Sequence, residues 1–84
     1  RRFPWVLANI EARVLRPIAA DLARAVEPGG TLVLSGILGS EHDEMVRIYT
    51  SLPERLEHTG RRRRGDAAGE AWVAIAFRAP PSPA

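Results

Sequence analysis

The sequence predicts an α/β fold in which two parallel strands are joined by a crossover helix and followed by a second helix and an antiparallel strand pair. Three observations predict it. Trp5-Val6-Leu7-Ala8-Asn9-Ile10 and Thr31-Leu32-Val33-Leu34-Ser35-Gly36-Ile37-Leu38 are short, nearly unbroken apolar runs, the mark of strands buried on both faces. A helical stripe separates them, and a strand-helix-strand unit sets its strands parallel. A third apolar run, Trp72 to Phe77, follows a weaker one across a short charged connection, which makes a hairpin.

In the first strand, Asn9 sits at the carboxyl end. Ligands of open α/β sheets bind at that end, because the loops leaving the strand tips form the crevice. An Asn at a strand end also makes turns, so the residue alone supports both readings. Val14, Leu15, Ile18, Ala19, Leu22, Ala25 and Val26 then form one helical stripe. Pro17 lies near its start, where a missing N–H is harmless; a regular helix is expected from about Leu15 until Pro28-Gly29-Gly30 stops it.

Gly36, inside the second strand, marks either a bulge or a close approach to the backbone, and a site or a packing contact explains it equally well. Ser40 with Asp43 resembles a capping box opening a second helix, whose stripe of Met45, Val46, Tyr49 and Leu52 ends at Pro53. His42, in the first turn, reads as solvated. Arg55 to Arg62 reads as a partly exposed edge strand, and Arg61 to Arg64 with Gly65-Asp66-Ala67-Ala68-Gly69 as the connection. Those arginines read as a solvated rim in preference to a phosphate patch, since no aromatic side chain is interleaved with them. Trp72 to Phe77 is apolar on both faces and therefore central. The domain is expected over residues 1–79, and the proline-rich residues 80–84 as a disordered tail.

The chain has 84 residues, 45% hydrophobic and 26% charged, an ordinary balance for a globular domain. It has no initiator Met, and an apolar strand begins within its first five residues, which suggests a fragment. No run approaches the ~20 apolar residues of a membrane span, so no membrane partner and a cytoplasmic location are expected. With no cysteine and two scattered histidines, disulfides and a zinc site are not expected. All twelve basic residues are Arg and the net charge is only +2, weak grounds for a nucleic-acid partner.

Leu7-Ala8-Asn9-Ile10, Pro28-Gly29-Gly30, Leu34-Ser35-Gly36-Ile37-Leu38 and Gly69-Glu70 followed by Trp72-Val73-Ala74 resemble the C-terminal segment of the ribosomal protein L-eleven methyltransferase family. The resemblance covers positions 3 to about 79. It implies the C-terminal half of a Rossmann-like class I methyltransferase fold, whose glycine-rich cofactor turn would lie upstream of Arg1. It also implies methyl transfer from S-adenosyl-L-methionine to amino groups of a large-subunit ribosomal protein. Asn9 and Ile10 match the cofactor-binding positions beside the transferred methyl, with Gly36 and Ile37 as pocket lining. Enzymes of this fold acting on planar nitrogens typically follow the Asn with Pro-Pro-aromatic. Here Ile10-Glu11-Ala12 follows, which favours a flexible aliphatic amine such as lysine. The alternatives are a nucleic-acid methyltransferase of the same fold and a basic RNA- or ribosome-binding module using Arg61 to Arg64.

Overall fold

Phe3–Asn9 forms the first strand, β1, and Val26–Leu38 the second, β2; they pair in parallel, with Trp5 opposite Thr31 and Asn9 opposite Ser35. This is a computed structural model, and it describes residues 1–65 and 71–82. The register shifts between Phe3 and Trp5, at Pro4. Proline lacks the N–H of a regular ladder and is tolerated at such irregularities.

The crossover contains two short helices, Ala12–Leu15 (α1) and Ala19–Ala25 (α2), where one continuous helix was expected. Pro17 is the cause. The helix begins earlier than Leu15, so the proline falls after the first turn, where its missing N–H and its ring interrupt the ladder. The buried stripe is accordingly Ala12, Leu15, Ala19, Ala23 and Val26, with Val14 exposed. The helix also ends sooner than Pro28-Gly29-Gly30. Val26 is already extended and pairs with Phe3. Gly29 takes φ 76°, and its N–H is shared by the carbonyls of Ala79 (3.2 Å) and Pro80 (3.1 Å).

After β2, a 3-10 turn over Gly39–Glu41 leads into α3, His42–Thr50. The expected bond from Ser40 to Asp43 is replaced: Glu41 reaches back, and its Oε1 accepts the Leu38 N–H at 2.9 Å. Met45 and Tyr49 are fully buried, as their spacing predicts. His42 is buried, contrary to expectation, with its ring 5.7 Å from that of His58 and its Nδ1 2.9 Å from Asp43 Oδ1.

The last strands are Glu57–Gly65 (β3) and Ala71–Arg78 (β4); they pair antiparallel, and the sheet order is β1-β2-β4-β3. The central place of β4 and the edge place of β3 match the sequence reading. Arg61 to Arg64, however, belong to β3 itself and not to its connection, because they pair residue by residue with Ile75, Ala74, Val73 and Trp72. The connection, residues 66–70, lies outside the described residues, as do residues 83 and 84 of the predicted tail.

One hydrophobic cluster joins all three helices to one face of the sheet: Leu15, Ala23, Met45 and Tyr49 meet Ala8, Leu32, Leu34, Ile37, Val73, Ile75 and Phe77. The opposite face is open among the described residues. Trp5 is 65% exposed, Leu7 73% and Trp72 51%, so β1 and β4 are buried on one face, where burial on both was expected. No helix among the described residues is long and apolar enough to cross a membrane.

Candidate functional site

Parallel pairing brings the carboxyl tips of β1 and β2 together, and the residue types at those tips are unlike the apolar residues behind them. The Ile10 N–H donates to the Ser35 carbonyl at 3.3 Å, which extends the pairing one step beyond Asn9. Gly36 then leaves the ladder: pairing with β4 jumps from Leu34 to Ile37. Its φ is 77°, a backbone region that L side chains rarely adopt. A Cβ there would lie 2.8 Å from Asn9 Oδ1 and 3.5 Å from both N and O of Ile10. Glycine is therefore required twice, once for the dihedral angle and once for the approach of the Asn9 amide. Asn9 is exposed, and its side chain makes no hydrogen bond among the described residues.

Because β4 runs antiparallel, its first residues arrive at the same end of the sheet. A groove of about 190 Å³ opens there, lined by Glu11, Ala12, Arg13, Gly36, Leu38, Glu41 and Trp72. Larger hollows among the described residues lie elsewhere. One of about 300 Å³ is floored by Val33, Ala74 and Ala76 on the open sheet face, and one of about 230 Å³ lies by Pro28 and Pro80. The smaller groove is the one at the carboxyl tips of the parallel strands, where ligands of open α/β sheets bind, and that place favours it over both.

Asn9, Ile10 and Gly36 are brought together at the tips, and of the three only Gly36 lines the groove. Ile37 is fully buried in the core and does not line it. The bulge at Gly36 is the reason, since one extra residue reverses the alternation and turns Ile37 inward. The groove also takes in Trp72 and Glu41, which the sequence reading did not name as site residues. The signal for Trp72 was its place at the start of an antiparallel strand, and for Glu41 its position three residues past the strand end.

The groove holds no free general base among its described residues. Glu11 is paired with Arg13 at 3.0 Å, and Glu41 is engaged by the Leu38 N–H. Just outside it, Arg16 grips Glu44 through two bonds of 2.9 and 2.8 Å. That grip holds the Glu44 carboxyl below its ordinary range. What the tips offer among the described residues is an amide without a hydrogen-bond partner beside bare backbone, an arrangement able to orient a bound group.

Residues 1–80 match the family model described as Ribosomal protein L11 methyltransferase (PrmA). The relatives with that name include one from Sorangium cellulosum, 63% identical across 95% of this chain and 29% of the relative. Another, from Janthinobacterium sp., is 37% identical across 96% of this chain and 24% of the relative. A third, from Xylella fastidiosa, is 53% identical across 58% of this chain and 16% of its own length. The chain thus spans less than a third of the curated relatives it matches. With a parallel strand pair ending in Ala8-Asn9-Ile10 and a glycine-bearing tip at its side, the chain belongs to the ribosomal protein L11 methyltransferase family.

Proposed function

We propose that this chain is the C-terminal part of a cytoplasmic, S-adenosyl-L-methionine-dependent protein methyltransferase that modifies amino groups, lysine among them, of a large-subunit ribosomal protein. The observation that carries the reading is the meeting of Asn9 and Gly36: an exposed amide without a partner among the described residues, against a backbone position from which any side chain is excluded. The order β1-β2-β4-β3, with β4 inserted antiparallel, supports a Rossmann-like class I arrangement in the whole protein.

The tips fit such a cofactor, because the missing Cβ of Gly36 lets the Asn9 amide lie against backbone at the strand ends, exposed and able both to donate and to accept. The cofactor, when bound, supplies an electrophilic sulfonium methyl. The task left to the protein is alignment and exclusion of water. Asn9 would orient donor and acceptor, its Oδ1 accepting an N–H of the incoming amine and aiming the lone pair. Ile10 and Gly36 would keep the approach narrow. A lysine amine has a pKa of about 10.4 in water and must be neutral to attack, so burial beside apolar Ile10 and Leu38 would favour the reactive form.

The test is Asn9→Ala in the full-length protein, with tritiated methyl transfer to the ribosomal protein as readout. A loss on the order of 100-fold is expected for a misaligned transfer, with the melting temperature nearly unchanged. Turnover equal to the parent protein would remove Asn9 from the site.

One observation favours a second reading. Arg64 lies directly opposite Trp72, so an exposed aromatic ring does stand beside the arginine run, which the linear sequence hides. A basic strand beside an aromatic ring could stack and neutralise single-stranded RNA. Filter binding across salt separates the two: sub-micromolar affinity with a steep salt slope supports the RNA-binding module.

A further inference from the structure

Glu41 lies at the groove, yet its known bond points away from it, to the backbone of the strand that carries Gly36. Its Oε1 accepts the Leu38 N–H at 2.9 Å, closing the 3-10 turn onto the last residue of β2. Leu38 and Ile37 resume pairing with β4, opposite Trp72 and Val73, immediately after the bulge. Gly36 is therefore held from two sides. On one, Ser35 is tied to β1 through Asn9 and Ile10; on the other, Leu38 is tied by β4 and by Glu41.

We propose that Glu41 is a positioning residue for the methyl transfer proposed above: by pinning the end of β2 it holds Gly36 in its cradle conformation and so fixes the surroundings of the Asn9 amide. The inference rests on that reading of the site. The role is geometric. It needs an acceptor at the end of a side chain of this length, and it does not need the charge.

Two substitutions in the full-length protein separate reach from charge. Glu41→Gln keeps an oxygen at the same distance and loses the charge. Glu41→Asp keeps the charge and falls one methylene short. Glu41→Gln is expected to retain kcat within about twofold, while Glu41→Asp and Glu41→Ala lose about tenfold in kcat with a smaller change in KM, as expected when a positioning bond is lost. Hydrogen exchange at the Leu38 amide, read by NMR, should speed up about tenfold in the Asp and Ala variants and stay slow in the Gln variant. An Asp variant as active as the parent, a Gln variant as impaired as Ala, or an unchanged Leu38 amide in the Ala variant would each overturn the role of Glu41. Asn9→Ala run alongside keeps the two readings apart. If it is inactive while all Glu41 variants are active, only the positioning role falls. If it is fully active, the site reading falls, and the proposal for Glu41 falls with it, whatever the Leu38 amide does.

Discussion

At Gly36 one missing methyl group decides both the backbone and the cleft. Replacing it with Ala asks an L residue to hold φ 77° and drives a Cβ to 2.8 Å from Asn9 Oδ1. The dihedral alone costs about 1–2 kcal/mol, and the contact must be relieved by turning the amide away. Gly36→Ala is therefore expected to lower stability by about that amount in chemical denaturation and to reduce methyl transfer more than the stability loss explains. Full activity would show that the amide has room to spare. The meeting of Asn9 and Gly36 at neighbouring strand ends was legible because each is the wrong residue for the apolar run that contains it. Ile37 was placed beside Gly36 by the resemblance, and its inward turn was not legible there, because it depends on the residue that the bulge adds.

Element boundaries followed local chemistry whose weight the sequence pattern did not reveal. The parallel pair, the edge place of β3 and the central place of β4 were all readable from apolar runs and connection lengths. Pro17 was also visible, but its effect depends on where the helix starts, and starting at Ala12 puts the proline past the first turn. The arginine run was taken for a connection because Arg carries no strand pattern, yet its partners on β4 draw it into the sheet. Four exposed arginines on an edge also oppose pairing with another sheet, since such edges are kept apart by charge. The other edge strand, β1, shows Trp5 and Leu7 instead. In the 84-residue chain, Arg62→Val with Arg64→Val should lower the concentration at which light scattering rises. Trp5→Lys with Leu7→Lys should raise it. If the valine pair scatters no more than the parent, the arginines are not guarding the edge.

Across the whole molecule, a single phenol ties the crossover to the rest of the core. The Tyr49 hydroxyl, fully buried, donates to the Leu15 carbonyl at 2.7 Å, while its ring stacks on Phe77 at 5.6 Å. Burial pushes the Tyr49 hydroxyl up from 10.0 to about 12. The chain has no lysine, no cysteine and no second tyrosine, so between pH 10 and 12 this is the side chain whose proton is in play. The sign follows from linkage. The folded state holds its proton to higher pH than the unfolded chain does, so the unfolded chain is the first to ionise, and stability falls as pH rises through that window. The contribution of Tyr49 is expected to be complete below pH 10, then to decline by roughly 1 kcal/mol per pH unit. Tyr49→Phe should abolish the slope and cost about 1–2 kcal/mol at neutral pH, because the Leu15 carbonyl is left buried without its donor. Urea unfolding at stepped pH, followed with tyrosinate absorbance, checks both parts. A tyrosinate midpoint near 10 in the folded chain would mean that water reaches the ring and that α1 is not closed onto α3.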